Sequence, residues 1–334
     1  MKIIGTGLVC LDIVHKKNNI IFMNGGTCAN VLAVLAQLGA QVSVLIPDYL
    51  EDKQKDYFYN TLEKLNIECI KFCNTKMNIP RIIETFDEKN NHLFYTKCPD
   101  CGKNLLKNRF ITFAESEKLM EKMIEYDIFF TDRVSDGIKN IAHKFRTLGK
   151  KVIYEPNSGR NLESIMGMAK VATVVKFSTD RISLNTSEMI LRKCQDSQMN
   201  LMIATQGSDG MVFSYRIGRN EFSDWIPGPH IKFEKVVDTS GAGDWLTAGF
   251  LYYWDKSSYK LEEEVIYNAL QRALNLSAIC SVKEGALGAL YDKCIYDYLK
   301  KTYKIKLKEQ MDKNRPYDEA DNFKICKKCF VNDY

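Results

Sequence analysis

Four small residues, Ser240 to Gly243, lie directly before Asp244, and the apolar run that follows is typical of a buried helix. Small residues let the backbone approach a ligand closely. A glycine-rich turn that opens a helix presents unpaired N–H groups and the positive end of the helix dipole to an anion such as phosphate. A carboxylate beside that anion would repel it, so the chemistry that suits Asp244 is to accept a proton from a hydroxyl group that attacks the phosphorus. The alternative is an ordinary N-cap aspartate, which leaves the small residues before it unexplained.

The composition is that of a soluble globular protein. The chain has 334 residues, of which 45% are hydrophobic and 27% charged, enough for one large α/β domain or two modest ones. A formal net charge of +5 gives little support to a nucleic-acid partner. No apolar run reaches the roughly 18 residues of a membrane span, and the N-terminus lacks the pattern of a signal peptide. We therefore expect a cytoplasmic protein without membrane contacts, whose 11 cysteines are mostly reduced.

Short apolar runs alternate with longer amphipathic runs along the chain. A strand that is covered on both faces of a parallel sheet is almost continuously apolar, whereas a helix repeats its apolar residues at spacings of three and four. The predicted strands are 41–46, 127–131, 151–155, 171–177 and 200–205, and the predicted helices are 29–38 and 261–279. This alternation predicts a doubly wound, mostly parallel α/β sheet that binds ligands beyond the carboxyl ends of its strands. Residues 80–86 and 92–96 interrupt it and predict an inserted antiparallel hairpin.

The stretch that contains Asp244 resembles the C-terminal signature D-T-x-G-A-G-D-x-F-x-x-G of the ribokinase-like (PfkB) carbohydrate kinases. The matching residues are Asp238, Thr239, Gly241, Ala242, Gly243, Asp244 and Gly249, with Leu246 in place of the aromatic residue. The resemblance implies that the turn from Gly241 to Gly243 is an anion hole for the transferred phosphoryl group and that Asp244 is the general base. It also implies that Asp238 and neighbouring carbonyl groups bind a monovalent cation, K⁺.

Four other segments resemble the same family in the family's order. Gly25, Gly26 and Asn30 precede a L-A-x-L-G stretch, and the resemblance implies that they bind the acceptor together with Asp12. The segment Glu155-Pro156-Asn157 resembles the family's D-P-N stretch. The implied ATP-binding residues are Thr205, Gly207, Gly210, Asn275 and Gly285. From the residues alone, the glycine pair also fits a plain strand–turn–helix joint, and Asp12 also fits a solvated turn residue. The resemblance covers residues 1–292.

Two segments depart from the family pattern. The family's N-x-x-E motif orders Mg²⁺, and its equivalent here is residues 176–181, where Asp180 takes the acidic role and Arg181 stands near the usual glutamate position. A literal match at Asn185 to Glu188 lies further on, where we expect it to be deep in the next helix. The usual G-x-D-x-x-G is also missing after Ile46. These departures leave open a catalytically weak protein that senses a ligand or engages a partner.

Two cysteine pairs have the spacing of zinc half-sites. Cys98 and Cys101 flank a Pro-Asp turn, and Cys326 and Cys329 flank two lysines near the C-terminus. The two intervening residues let both thiolates of a pair face one ion, so the four cysteines predict a structural Zn²⁺. The alternative is two unrelated pairs of reduced thiols.

We therefore expect a kinase domain over residues 1–295, with lid segments at about 10–24 and 76–110, and a C-terminal extension over 296–334. The predicted activity is transfer of the γ-phosphoryl group of Mg·ATP to a hydroxyl group of a small polyhydroxy, sugar-like acceptor (EC 2.7.1.-). The alternatives are a nucleoside kinase, a sensing or interaction protein, and a nucleic-acid binder that uses the cysteine pairs. Homodimers through the lid occur in the family and are possible here. Arg81 in the hairpin is read either as a substrate contact or as a solvated strand residue.

Overall fold

The computed structural model describes residues 1–16, 19–86, 92–157, 161–230 and 236–303. Within them the strands are β1 (Lys2–Thr6), β2 (Cys10–Lys16), β3 (Asn19–Gly25), β4 (Gln41–Tyr49), β5 (Ile67–Thr75), β6 (Arg81–Phe86), β7 (His92–Tyr95), β8 (Ile128–Thr131), β9 (Lys151–Tyr154), β10 (Val174–Ser178), β11 (Leu201–Thr205), β12 (Met211–Tyr215) and β13 (Ile226–Pro227). The helices are α1 (Thr27–Gln37), α2 (Lys55–Lys64), α3 (Phe113–Met123), α4 (Asp136–Thr147), α5 (Leu162–Ala169), α6 (Leu184–Lys193), α7 (Ala242–Lys256), α8 (Glu263–Cys280) and α9 (Lys293–Tyr303).

Nine strands of the described chain form one large sheet in the order β13-β12-β11-β10-β9-β8-β1-β4-β5. The pairs from β5 across to β11 are parallel, and β12 and β13 extend the sheet in antiparallel fashion. On one side of β1 lie β4 and β5, and on its other side lie β8 and the later strands, so the direction in which the chain adds strands reverses at β1. A sheet of this kind binds its ligands at the carboxyl ends of the strands near the point of reversal. The predicted doubly wound, mostly parallel sheet is confirmed.

Helices cover both faces of the large sheet. Ile3 belongs to a hydrophobic cluster with residues of α1, α7 and α8, whereas its neighbour Ile4 belongs to a second cluster with residues of α3, α4 and α6. Successive side chains of a strand point to opposite faces, so both faces of β1 are buried. This explains why the strands read as almost continuously apolar in the sequence. Among the described helices, none is long and apolar enough to cross a membrane.

A smaller sheet is inserted into the α/β pattern. Its order is β3-β2-β6-β7, with an antiparallel β2–β3 pair, a parallel β2–β6 pair and an antiparallel β6–β7 pair. The predicted hairpin at 80–86 and 92–96 is thus confirmed as β6 and β7. Its inner residues Ile13, Phe22 and Ile83 form a third hydrophobic cluster. Asp12 lies in this small sheet, as the third residue of β2.

The interpretation of Arg81 as a solvated strand residue is wrong, whereas its role as a substrate contact stays a prediction. Its side chain is only 7% exposed and forms an ion pair with the fully buried carboxylate of Asp52 at 2.8 Å. The guanidinium group donates to both carboxylate oxygens of Asp52 and to Oε1 of Gln54. Asp52 also accepts the N–H group of Ile79 at 2.8 Å. Arg81 therefore attaches the start of β6 to the segment before α2.

Candidate active site

The turn before α7 is built around glycine. Gly241 is the N-cap of α7 and has a φ of 76°, in the left-handed region that favours glycine. A Cβ atom at this position would lie 2.5 Å from Cβ of Ala286, so the close packing of the turn against that loop also requires glycine. The N–H group of Ala242 donates to the Thr239 carbonyl group at 3.1 Å. Among the described hydrogen bonds, the N–H groups of Gly243 and Asp244 have no acceptor, as expected for the first turn of a helix.

Asp244 lies in the first turn of α7 and contacts α1 through Asn30. The Nδ2 atom of Asn30 donates to Oδ2 of Asp244 at 2.7 Å, although the two residues are 214 positions apart. Asn30 is 5% exposed, and its Oδ1 atom is buried without a hydrogen-bond partner among the described residues. A buried amide oxygen without a donor costs free energy, so this atom is suited to accept a hydrogen bond from a hydroxyl group of a ligand.

The pKa of Asp244 is raised from its ordinary value of 3.8 to about 7. Burial is the main cause, because it disfavours the charged carboxylate, and the negative charge of Glu155 adds to the effect. The hydrogen bond from Asn30 and the positive charge of Lys176 act in the opposite direction. A carboxylate that titrates near neutral pH is matched to accepting and releasing a proton in catalysis.

Lys176 in β10 connects Glu155, the residue after β9, to the first turn of α7. Its Nζ atom donates to Oε1 of Glu155 at 2.6 Å and to the Gly243 carbonyl oxygen at 3.0 Å. The hydroxyl group of Thr247 donates to the other oxygen of Glu155 at 2.7 Å. The side chains of Lys176 and Glu155 are 5% and 10% exposed, so the pair is buried. A lysine inside an otherwise apolar predicted strand was the sequence signal for this network, since a buried charge requires a partner.

Asp12 faces the start of α1 from the small sheet. A Cβ atom at Gly25 would lie 1.8 Å from Oδ2 of Asp12, so the carboxylate lies directly against the backbone of that glycine. The thiol of Cys10 donates to Oδ1 of Asp12 at 3.3 Å. Burial raises the pKa of Asp12 to about 7, the Cys10 hydrogen bond lowers it, and the negative charge of Glu84 raises it further. Gly26, the next residue after Gly25, is the N-cap of α1, the helix that carries Asn30.

The structure adds Asp132 and Arg133, which the motifs did not identify. Asp132 follows β8 directly, accepts the N–H group of Leu8 at 2.8 Å and forms an ion pair with Arg133 at 2.8 Å. Burial raises the pKa of Asp132, and its proximity to Arg133 opposes this shift. A charged pair directly after a predicted parallel strand was the available signal, because that is where such sheets bind ligands.

The predicted nucleotide and cation residues form two groups. Asp238 accepts the N–H group of Ser240 on one oxygen and that of Gly285 on the other, each at 2.7 Å, and so connects the turn before α7 to the loop after α8. Asn275 lies on α8. On the same helix, the Ser277 hydroxyl group donates to the Ala242 carbonyl oxygen at 2.7 Å, which connects α8 to the start of α7. The second group follows β11, where Thr205 ends the strand and Gly207 and Gly210 flank a short 3₁₀ turn. No described hydrogen bond joins the two groups.

Asp180 lies after β10 and is exposed. Its carboxylate is 3.4 Å from the Ser178 hydroxyl group, and no ion pair within the described ranges fixes it. Protein sites for Mg²⁺ in kinases use one or two carboxylates, with substrate phosphates and water completing the shell, so an accessible carboxylate of this kind fits the ion. Glu188 lies inside α6, as the sequence predicted, and forms an ion pair with Arg192 at 2.5 Å.

Of the two cysteine pairs, the structure describes only the first. Cys98 is buried and Cys101 is exposed, in the segment after β7, whereas Cys326 and Cys329 lie outside the described residues. Across the described part of the chain, no group of three or more His, Cys, Asp or Glu residues is arranged to hold a metal ion. The predicted four-cysteine zinc site therefore stays a prediction.

Comparison with known proteins identifies both a family and a fold. Residues 6–293 match the sequence profile described as pfkB family carbohydrate kinase. Probable fructokinase-5 of Arabidopsis thaliana is 24% identical over 290 residues, which cover 80% of this chain and 84% of that protein. The structure of ribokinase from Giardia lamblia superimposes with a TM-score of 0.69 at 13% identity, covering 90% of this chain and 99% of that one. Fructokinase with bound ATP from Xylella fastidiosa gives a TM-score of 0.68 at 16% identity, covering 91% and 99%. The solved structures establish a ribokinase-like fold.

Proposed function

Because the chain belongs to the pfkB family of carbohydrate kinases, we propose that it transfers the γ-phosphoryl group of ATP to a hydroxyl group of a small sugar. The observation that carries this proposal is the pairing of Asn30 with Asp244. It places a buried amide oxygen that has no partner among the described residues beside a carboxylate whose pKa is about 7, at the N-terminus of a helix. This arrangement supports the binding of a polyhydroxy molecule by one hydroxyl group and the deprotonation of another.

The proposed transfer assigns a role to each neighbouring group. Asp244 accepts the proton of the attacking hydroxyl group as its oxygen forms a bond to the γ-phosphorus, and the bond from that phosphorus to the bridging oxygen breaks and leaves ADP. The N–H groups of Gly243 and Asp244, with the positive end of α7, stabilise the negative charge on the moving phosphoryl group. Asn30 and Asp12 accept hydrogen bonds from the other hydroxyl groups of the acceptor. The small sheet acts as a lid that excludes water.

Two ions accompany this proposal. Mg²⁺ bound to ATP neutralises phosphate charge, and Asp180 would hold it through water. For K⁺, the candidate is Asp238, whose hydrogen bonds to Ser240 and Gly285 bring the turn and the loop after α8 together. A structural zinc ion at the cysteine pairs would be separate from this chemistry, because four thiolates leave no open coordination position. We keep the division into a kinase domain over 1–295 and an extension over 296–334 as part of the proposal.

An assay of ADP formation from Mg·ATP tests the proposed function. The panel contains monosaccharides such as fructose and ribose, sugar acids, sugar phosphates and nucleosides. We expect one monosaccharide to give turnover well above the rate without acceptor. Turnover with a nucleoside alone would instead make the chain a nucleoside kinase. If the folded protein binds ATP but phosphorylates no acceptor in the panel, the proposal fails and a role in ligand sensing takes its place.

Replacement of Gly25 with alanine is expected to impair acceptor binding selectively. The new methyl group would occupy the position of the Asp12 carboxylate, which must rotate away and lose its contact with the acceptor. Losing one hydrogen bond to a charged group lowers kcat/KM for the acceptor by roughly 10- to 100-fold. The KM for ATP should be unchanged.

Gly218→Ala is the matched control for this variant, because a Cβ atom at Gly218 meets no atom within 4 Å. Steady-state kinetics with each substrate varied in turn provide the measurement. Equal changes in the KM of ATP and of the acceptor would show that Gly25 supports the fold rather than the position of Asp12.

A further inference from the structure

Arg133 lies in the loop after β8, where the Thr131 hydroxyl group fixes its backbone on both sides. This hydroxyl group donates to the Arg133 carbonyl oxygen at 2.8 Å and accepts the Arg133 N–H group at 3.2 Å. The side chain is fixed as well, because Nη1 of Arg133 donates to the carbonyl oxygen of Asp132 at 3.0 Å and to its Oδ2 atom at 2.8 Å. The guanidinium group is thus held in place before any ligand binds, which lowers the entropic cost of a contact with that ligand.

The ion pair with Asp132 uses only one nitrogen atom of this guanidinium group. Within the described residues, Nε and Nη2 of Arg133 have no hydrogen-bond acceptor, and neither is a fully buried atom. The Asp132 side chain is completely buried, whereas that of Arg133 is 17% exposed, so a ligand can reach the arginine. The Nε and Nη2 atoms form a planar edge that matches two oxygens of a carboxylate or a phosphate. Arg133 therefore has an unused site for an anionic group.

A short series of contacts joins Asp132 to the residues that are proposed to bind the acceptor. Oδ1 of Asp132 accepts the N–H group of Leu8 at 2.8 Å. The Leu8 carbonyl oxygen accepts the N–H group of Cys28 at 3.2 Å and would lie 2.5 Å from a Cβ atom at Gly26. Gly26 and Cys28 belong to the start of α1, the helix that carries Asn30. The ion pair therefore adjoins the backbone that begins the acceptor side of the candidate site.

The positive charge of Arg133 acts on residues of both parts of the acceptor region. Burial is the main cause of the raised pKa of the Cys10 and Cys28 thiols, and the charge of Arg133 opposes this shift in both. The thiol of Cys10 donates to Asp12 in the small sheet, and Cys28 lies in α1. Because the interaction of two charges weakens with distance, these opposing effects support a position of the guanidinium group close to both thiols.

The carboxylates of the site leave room for an anion beside Arg133. Asp12 and Asp244 have pKa values of about 7, so each is partly protonated at neutral pH, and the ion pair neutralises Asp132. The Nζ atom of Lys176 already donates to two partners of the protein. The unused edge of Arg133 is therefore better suited than Lys176 to bind an anionic group of a ligand.

We propose that Arg133 is a specificity-determining residue that binds a carboxylate or phosphate group of the acceptor through Nε and Nη2, so that the acceptor is a sugar acid or a sugar phosphate. This inference rests on the proposed function, which positions the acceptor at Asp12, Asn30 and Asp244. It narrows the acceptor from a small sugar to a small sugar with an anionic group. Arg133 transfers neither the proton nor the phosphoryl group, and its role is to select and position the acceptor.

Calorimetric titration of the full-length protein without ATP tests this inference separately from turnover. The ligands are the neutral monosaccharides of the activity panel, each with its sugar acid and its phosphate monoesters, for example ribose, ribonate and ribose 5-phosphate. We expect one anionic member to bind at least about tenfold more tightly than its neutral parent, because hydrogen bonds to charged groups are the stronger ones. Comparison of the acid with the phosphate of the same sugar shows which anion the site takes.

Arg133→Lys should weaken the binding of that anionic sugar by roughly tenfold, since lysine keeps the charge beside Asp132 but cannot bind two oxygens side by side. The affinities for the neutral parent and for ATP should be nearly unchanged. The double variant Asp132→Asn, Arg133→Met leaves neither charge buried alone and should lose roughly 100-fold, which keeps the test decisive if Arg133→Lys does not fold. Arg219→Lys is the matched control, because Arg219 is exposed and follows β12, whose end pairs with the start of β11 at the opposite edge of the sheet.

Three results would overturn the inference. If no anionic sugar binds more tightly than its neutral parent, Arg133 is only the counter-ion of Asp132. If Arg133→Lys loses affinity for ATP and not for the acceptor, the guanidinium group contacts the nucleotide phosphates. If only a neutral sugar is phosphorylated and Arg133→Lys has the same kinetics, the inference fails and the proposed function stands. Binding of an anionic sugar that depends on Arg133, with no turnover of any acceptor, would uphold the inference and contradict the proposed function.

Discussion

Replacement of Asp244 with asparagine is expected to lower kcat by roughly 10²- to 10⁴-fold, the usual contribution of a general base. The amide cannot accept the proton of the attacking hydroxyl group, but it can still accept the hydrogen bond from Asn30. ATP should bind at least as tightly as to the wild type, because the carboxylate that repels its phosphates is neutralised. For the wild-type protein, kcat/KM should fall as the pH drops below about 7, because Asp244 then becomes protonated. Steady-state kinetics and ATP titrations at several pH values measure both effects.

The same substitution should stabilise the protein at high pH. With a pKa of about 7 in the folded state and 3.8 in the unfolded state, Asp244 binds more protons when folded between these values. The free energy of unfolding of the wild type therefore falls as the pH rises from about 4 to about 7. The neutral amide of the variant avoids the free-energy cost of a buried charge, so Asp244→Asn should melt at a higher temperature than the wild type at pH 8. This difference in melting temperature should shrink toward pH 4.

Asp136→Asn is a matched control for this experiment, because it removes an exposed carboxylate from the first turn of another helix. It should change neither kcat nor the pH profile. A fall in kcat of less than tenfold in Asp244→Asn would exclude Asp244 as the base. A large fall accompanied by a lower melting temperature at pH 8 would indicate that the carboxylate supports the fold instead.

Replacement of Lys176 with methionine should be the most destabilising change near the site. It leaves Glu155 buried without its cationic partner, and breaking a buried ion pair in this way costs about 3–5 kcal/mol of unfolding free energy. It also removes the donor that holds the Gly243 carbonyl group and the positive charge that lowers the pKa of Asp244. The acidic limb of the pH profile of kcat/KM should therefore move to higher pH. Urea unfolding and kinetics across pH measure the two effects.

For Glu155→Gln we expect the pH profile of kcat/KM to shift in the opposite direction. The negative charge of Glu155 raises the pKa of Asp244, so its removal should move the acidic limb to lower pH. The double variant should recover part of the stability that each single variant loses, because neither charge is then buried alone. Lys144→Met, which breaks an exposed pair with Glu117, should cost less than about 1 kcal/mol. If both site variants shift the limb in the same direction, the pair acts only through the fold and not on Asp244.

The fold class was predictable because its signals are local. Strands buried on both faces must be apolar along their length, and this alone identified β4, β8 and β9 to within three residues of their observed ends. The inserted hairpin could also be predicted locally, since a polar stretch of sequence separates two runs with β-strand character. The glycine-rich turn could be recognised because Gly241 adopts a backbone conformation and a close contact that other residues cannot share.

Only the tertiary structure determined which charged and amide side chains form pairs. Asn30 bonds Asp244 across 214 residues, Lys176 bonds Glu155 across 21, and Arg81 bonds Asp52 across 29. A sequence pattern can indicate that a buried charge needs a partner, but the partner is chosen by the packing of strands and helices in space. For this reason the sequence did not reveal the burial of Arg81 or the Asp132–Arg133 pair. The glycine-rich turn before α7 could be predicted, because its conformation follows from adjacent backbone.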